Sequence, residues 1–405
     1  MAEQSLVLLK NDGEMLPLSG VRRLAVIGPC ADLPGSLLAD YAFGQARLRR
    51  PDLYGTKLEH APVVTPLAGL RALAAERGVS VDYAPGSVLC DNNGDTGGMM
   101  LAQAPAPGSS VLGSSADEAL AQAVAVASQA DAVVAVLGEQ SMVLSGEGYD
   151  RCRLELPEPQ ETLLRALART GKPIILVLTY GRPQAIAGIA PLCRAIVAAG
   201  YPGEQGGNAI ARLLFGECAP SGRLSMSWPK TTGHTPAYYG RHPNSPNRYC
   251  DYPEQNAWAQ FPFGHGLAYT TFAFSDLALE SDTIPADGTL TIRFRIANTG
   301  QRPGVAVPQI YTQGIHKSVL RPLKELKAFT RVELAPGEAK TVRVAIPAEL
   351  LAFHGIDLTL NVEGGRYEVM VGSSAASIHL KRFFVVEGTR PVAQRHVFAA
   401  TVGVG

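Results

Sequence analysis

Two apolar rhythms divide this chain. Up to about residue 230, short apolar runs, several of them apolar on both faces, alternate with longer segments of helical period. Beyond about residue 272, apolar and polar positions alternate with period two. The short runs are LAVIGP (Leu24–Pro29), VSVDYAP (Val79–Pro85), DAVVAVLG (Asp131–Gly138), PIILVLTYG (Pro173–Gly181), AIVAAGYPG (Ala195–Gly203) and RLSMSWP (Arg223–Pro229). Runs without a polar face suit strands covered by helices on both sides.

The helical segments carry their own boundary signals. Thr65–Gly78 begins with a threonine cap and a proline at the first helical position, and closes on glycine. The segment from Ser115 has Glu118 three residues on, the spacing of a capping box. Glu158–Gly171 also ends in glycine, and Gly203–Glu217 follows a strand directly. The N-terminal SLVLLK reads as an amphipathic helix-like start. Strands and helices in this order predict an open, mainly parallel sheet sandwiched by helices, an α/β fold.

The later segments TLTIRFRIANTG, VPQIYTQG, ELKAFTRVELAPGEAKTVRVAIP, GGRYEVMVGSS and IHLKRFFVVEG predict an antiparallel β-sandwich. Between the two rhythms lies a stretch rich in Pro, Gly, Asn and aromatics, whose aromatics need packing partners. The expected division is 1–232 for the α/β domain, 233–272 for an ordered linker, 273–388 for the sandwich and 389–405 for a loosely held tail. Cys90–Ser114, rich in Gly, Asn, Asp and Pro, reads as a long surface excursion.

Composition narrows the partners. The 405 residues hold 36 Lys plus Arg against 36 Asp plus Glu. A neutral total gives no electrostatic reason to expect nucleic acid or an anionic membrane surface. No apolar run approaches the ~18–20 residues that cross a bilayer. The six cysteines form no CxxC pair, so a zinc ribbon or redox pair is not expected, and free buried thiols with one bridge at most are. The eight histidines do not cluster; no metal and no cofactor are expected. IGPCAD after the first strand lacks phosphate-binding glycines, which disfavours a nucleotide-dependent enzyme. GEQGG opening a helix reads as tight strand–helix packing.

One loop stands apart. LSGEGYDRCR (Leu144–Arg153) follows a predicted buried strand, where ligands of such sheets sit. Glycine serves a turn, but a turn has no need of a carboxylate held between Gly146 and Gly148. Glu147 is therefore the candidate for chemistry in this loop, with Glu139, at the strand end, as competitor and loop support. Asp150 and Arg151 form a sequence-local pair suited to bracing the loop, and Tyr149 is placed to stack on a ligand or to pack. Tyr180, Gly181 and Arg182 follow a neighbouring strand on the same sheet edge.

The stretches SLVLLKNDGEMLPL, LAVIGPCAD, LGEQSMVLSGEGYDR, YPGEQGGNAIARLLFGECAPSGRLSMSWPK, FPFGHGLAYTTFAFSDLAL and RIANTGQRPGVAVPQIY extend this picture. In them the chain resembles glycoside hydrolase family 3, the β-glucosidase and β-xylosidase group, in order from about Glu3 to about Glu387. The resemblance implies the family's α/β sandwich and fibronectin III-like parts, without its N-terminal barrel. It implies retaining hydrolysis of terminal β-linked sugars, with Glu147 as general acid/base. The family's nucleophile is an aspartate in a Ser-Asp-Trp type motif. Ser275-Asp276 and Ser281-Asp282 lack the tryptophan and the preceding apolar strand, and the family's Lys-His pair is absent.

The resemblance thus implies a carbohydrate substrate, a nucleophile supplied by a barrel on another segment or separate chain, or a homo-oligomer, and little activity alone. The competing reading is a non-catalytic carbohydrate-binding or partner-docking module. The N-terminus lacks the basic leader and cleavage site of a signal peptide. The expectation is cytoplasmic by default, with periplasmic or secreted placement open for full-length members of the family.

Overall fold

The computed structural model describes residues 1–49, 63–90, 115–141, 143–145, 151–242 and 259–405. They form two compact units, one of residues 1–222 and 228–235, the other of residues 223–227 and 236–405.

In the first unit, six strands form one sheet: β1 (Val7–Asn11), β2 (Arg23–Ile27), β3 (Ser80–Ala84), β4 (Ala132–Gly138), β5 (Ile174–Thr179) and β6 (Ala195–Gly200), in the order β1-β6-β5-β4-β2-β3. All neighbours run parallel except β1, which is antiparallel to β6. Every residue of β4 and β5 is buried, as their unbroken apolar runs require. The helices are α1 (Ala2–Ser5), α2 (Phe43–Arg49), α3 (Pro66–Glu76), α4 (Ala116–Ser128), α5 (Glu158–Ala168) and α6 (Gly206–Leu214). Thr65 caps α3 by accepting from Ala68 N–H, and Ser115 with Glu118 closes a full capping box on α4.

Two expectations fail here. The N-terminal SLVLLK is mostly strand rather than helix: Val7, Leu8 and Leu9 are buried in β1. A continuous apolar run this short fits either element, and pairing with β6 decides it. RLSMSWP is not a strand of this sheet. Leu224 instead exchanges backbone hydrogen bonds with Gly264 and His265, so Arg223–Ser227 belongs to the second unit. Its alternating serines and flanking prolines do not suit a strand buried on both faces.

The second unit is a β-sandwich. One sheet has the order β20-β14-β9-β7, from β7 (Phe272–Leu279), β9 (Thr289–Asn298), β14 (Ala339–Pro347) and β20 (Thr401–Val404). The other has the order β12-β11-β17-β18-β8, from β8 (Thr283–Pro285), β11 (Gln309–Gly314), β12 (Glu325–Phe329), β17 (Gly365–Gly372) and β18 (Ile378–Glu387). Pairing is antiparallel throughout both sheets except between β8 and β18. Smaller ladders join β10 (Gly304–Ala306) to β13 (Val332–Leu334), and β15 (Phe353–His354), β16 (Leu360–Val362) and β19 (Arg390–Pro391). Ile292, Phe294, Val342, Val344, Val369 and Phe384 lie in its core, each from an alternating position.

The segment expected to be a loose tail is partly structured. Thr401–Val404 pairs with Val342–Ala345, which supplies the hydrogen-bond partners a free tail lacks. In the aromatic-rich stretch, Tyr239 stacks on Phe263 at 4.2 Å and meets Tyr311 edge-on at 5.9 Å. Phe263-Gly264-His265 forms a turn, with His265 N–H donating to Pro262 O and Gly264 at φ +78°. Residues 243–258, with the Arg248 and Asp251 that the aromatic-rich stretch contains, lie outside the described residues, as does nearly all of the Cys90–Ser114 excursion.

Candidate functional site

The strand order itself picks out a place. From β2 the chain steps outward to β3, whereas from β4 it steps the other way through β5 and β6. The switch lies between β2 and β4, and in open α/β sheets the crevice beyond the carboxyl ends at such a point receives ligands. The loops after β2 and β4 meet there. Cys30 N–H donates to Val136 O at 3.3 Å, and Ser141 donates its hydroxyl to Asp40. Gln45 donates to Ser141 O at 3.2 Å. Gly28, at φ +129°, lies so close to Val136 that a Cβ would stand 2.2 Å from its carbonyl oxygen.

Glu139 is the first residue past β4 and is 1% exposed. Its Oε1 accepts from Arg182 Nη2 at 3.1 Å, Arg182 Nε at 3.3 Å and Arg151 Nη1 at 3.4 Å. Its Oε2 and Arg151 Nε are buried and have no hydrogen-bond partner among the described residues. Burial pushes the Glu139 carboxyl above its ordinary value, and the Arg182 and Arg151 guanidinium groups offset part of that rise. Arg182 Nη2 also donates to Leu144 O at 2.9 Å. Ser145 Oγ shares a hydrogen bond with Tyr201 OH, and burial raises that phenol's pKa. Glu139 N–H donates to Thr179 O at 2.8 Å, which locks the strand end to β5.

The limb after Arg151 is anchored separately. Leu154 O accepts from Ala185 N–H at 2.9 Å, and Leu154 N–H donates to Thr232 Oγ1 at 2.9 Å. Thr232 in turn donates to Glu155 Oε2 at 2.8 Å. Burial works to raise the Glu155 carboxyl, but the Thr232 hydroxyl and backbone N–H groups outweigh it, so it sits below its ordinary value. A cleft of about 650 Å³ runs along this limb, with Leu144, Arg151, Arg153, Glu155 and Thr231 among its walls.

Of the residues singled out in the sequence, Glu139 and Arg151 come together in one ionic cluster, and Arg182 joins them. Glu147, Tyr149 and Asp150 lie outside the described residues. The sequence reading missed Tyr201, Asp40 and Gln45. Their only signal was a position in a loop or first turn after a strand of the α/β half. Among the described residues no group of His, Cys, Asp and Glu is arranged to hold a metal ion, and no helix is long and apolar enough to cross a membrane. Cys30 and Cys193 are buried free thiols, both pushed up to about 12 by burial, which makes them poor nucleophiles.

Comparison with known proteins agrees with this architecture. Residues 6–269 match the glycosyl hydrolase family 3 C-terminal domain, and residues 306–375 match a fibronectin type III-like domain. The chain is 36% identical over 387 residues to a periplasmic beta-glucosidase of Salmonella typhimurium, covering 93% of this chain and 48% of that protein. It is 35% identical over 384 residues to a beta-xylosidase of Formosa agariphila, covering 94% of this chain and 48% of that protein. A solved β-glucosidase structure from Erythrobacter marinus superposes with a TM-score of 0.77 at 31% identity, covering 95% of this chain and 49% of that one. The chain spans about half the length of the curated relatives it matches.

Proposed function

The chain belongs to glycosyl hydrolase family 3, and on that premise we propose that it supplies the general acid/base, Glu147, of a retaining β-glycosidase. One observation carries the assignment to this loop. Leu144 and Arg151, described residues on either side of 146–150, are both linked to the same buried carboxylate, Glu139, Arg151 directly and Leu144 through Arg182, at the switch point of the sheet. A carboxyl group that must meet a glycosidic oxygen within hydrogen-bond reach needs such fixed ends.

Retention requires two carboxylates about 5–5.5 Å apart, one to attack the anomeric carbon and one to protonate the leaving oxygen and then activate water. Glu147 takes the second role. The attacking aspartate comes from outside these 405 residues, on a further segment or a separate chain. Asp276 and Asp282 are exposed on the β-sandwich, and Asp276 accepts from its neighbour Ser275 at 2.8 Å.

The substrates are terminal β-linked glycosides. Aryl β-glucosides come first and β-xylosides second, because the similar proteins carry both activities in their names. The test uses the purified chain with an aryl β-glucoside. The expected result is little or no turnover. Robust turnover that Glu147→Gln abolishes would overturn the need for an outside nucleophile. In the enzyme completed by the nucleophile-bearing part, Glu147→Gln is expected to lower kcat roughly 10²–10⁴-fold.

A further inference from the structure

We infer that Arg182 is a positioning residue of this site, which together with Glu139 fixes Leu144 relative to Arg151, the described residues on either side of 146–150. The inference deepens the acid/base reading and rests on it.

The geometry is a chain of three side chains and one carbonyl. Arg182 Nη2 donates to Leu144 O at 2.9 Å and to Glu139 Oε1 at 3.1 Å, with Nε on the same oxygen at 3.3 Å. Arg151 Nη1 reaches that oxygen at 3.4 Å. Leu144 precedes 146–150 in the chain and Arg151 follows it, so the separation of these two residues is set through Arg182 and Glu139. Side-chain exposure is 1% for Glu139, 5% for Arg151 and 23% for Arg182, so these bonds work where water competes poorly.

A lysine in place of Arg182 keeps the charge but not the arrangement. The guanidinium is a rigid plane whose donors meet two acceptors at once, whereas an ammonium is a point charge on a flexible stem. The neighbouring residues leave little slack. A Cβ at Gly181 would stand 3.0 Å from Ser145 Oγ and 3.0 Å from the Tyr201 ring. The departing limb is thus held from two sides, by Arg182 at Leu144 O and by Tyr201 at Ser145 Oγ.

Acid catalysis gives a signature that general destabilisation does not. Protonation matters in proportion to the basicity of the leaving oxygen, so a displaced acid slows poor leaving groups and spares good ones. The experiment measures kcat/KM of the completed enzyme on an alkyl β-glucoside and on a dinitrophenyl β-glucoside. For Arg182→Lys the expected result is a roughly 10–10²-fold loss on the alkyl substrate and a change within about twofold on the dinitrophenyl one. In the chain by itself, amide hydrogen exchange of 144–153 should rise roughly tenfold while β4 and β5 keep their protection. Equal loss on both substrates, or unchanged exchange in 144–153, overturns the inference.

Glu147→Ala separates this from the reading beneath it. If Glu147→Ala lacks the same leaving-group split and azide does not restore its kcat, the acid/base assignment fails. If Glu147→Ala shows the split and Arg182→Lys does not, only the positioning role fails. Should Arg182→Lys not fold, the double variant Glu139→Gln with Arg182→Gln removes both charges together, and the same split is expected of it.

Discussion

Gln160 holds both backbone polar groups of Gly138, the last residue of β4. Its Oε1 accepts from Gly138 N–H at 2.7 Å, and its Nε2 donates to Gly138 O at 2.9 Å and to Leu89 O at 2.7 Å. The strand thus ends against a buried amide side chain on the first turn of α5, just where the chain must leave the sheet to present Glu139. Gln160→Leu preserves the approximate volume but strands one N–H and two carbonyls. The expected cost is about 2–4 kcal/mol in urea unfolding; a loss below about 1 kcal/mol would show that water replaces the amide.

Glu139 sets a pH dependence. Burial raises its carboxyl above 4.5, so between that value and the raised one the folded chain keeps a proton that the unfolded chain has lost. Its contribution to stability is therefore present below the ordinary value and lost as pH rises through the folded value. Glu139→Gln has no such titration. Melting both proteins from about pH 4 to about pH 8 should show the parent losing ground relative to the variant as pH rises. A difference that moves in the parent's favour would mean that the two guanidinium groups outweigh burial.

Asp131 works in the opposite sense. Its Oδ2 accepts from the backbone N–H groups of Arg22 at 2.8 Å and Arg23 at 2.9 Å, holding the carboxyl below its ordinary value and tying the start of β4 to the start of β2. That stability is present above 3.8 and lost as pH falls through the depressed value. Asp131→Ala should lower the urea midpoint at neutral pH, and the gap should close in acid. A gap independent of pH would assign the effect to something other than the carboxylate.

The α3–α6 contact is made by backbone. A Cβ on Gly207 would stand 2.0 Å from Thr65 O, and one on Gly69 would stand 2.3 Å from Gly207 O. Carbonyls of the two chain segments cannot swing aside as a side-chain end does. Gly207→Ala is expected to cost about 3 kcal/mol or more in urea unfolding. Gly171→Ala, at φ +72° with open space around it, should cost about 1 kcal/mol from conformation alone. Equal costs for the two would remove the steric argument.

Much of the fold was legible because local chemistry and burial agree along the chain. Val133–Leu137 and Ile174–Leu178 carry no polar residue because helices cover both faces of their sheet. Ser115 and Glu118 announce a helix start that needs nothing distant. The alternation in Thr289–Asn298 is that of a strand with one buried face. Val7–Asn11 misled because a few consecutive apolar residues have no period to read, and Arg223–Ser227 misled because its partner lies some forty residues on, at Gly264 and His265.

By itself the sequence determined the two architectures, the caps, the family, and a glutamate held between two glycines after a buried strand. Those rest on residues near one another in the chain, where spacing alone carries the information. The tertiary structure decided the rest. It placed Glu139, Leu144 and Arg151 beside the reversal between β2 and β4, and it brought Arg182 to Glu139 across 43 positions and Tyr201 to Ser145 across 56. No periodicity records such pairs, because a buried charge selects its partner by geometry in the folded sheet, where an unpaired one is too costly to keep.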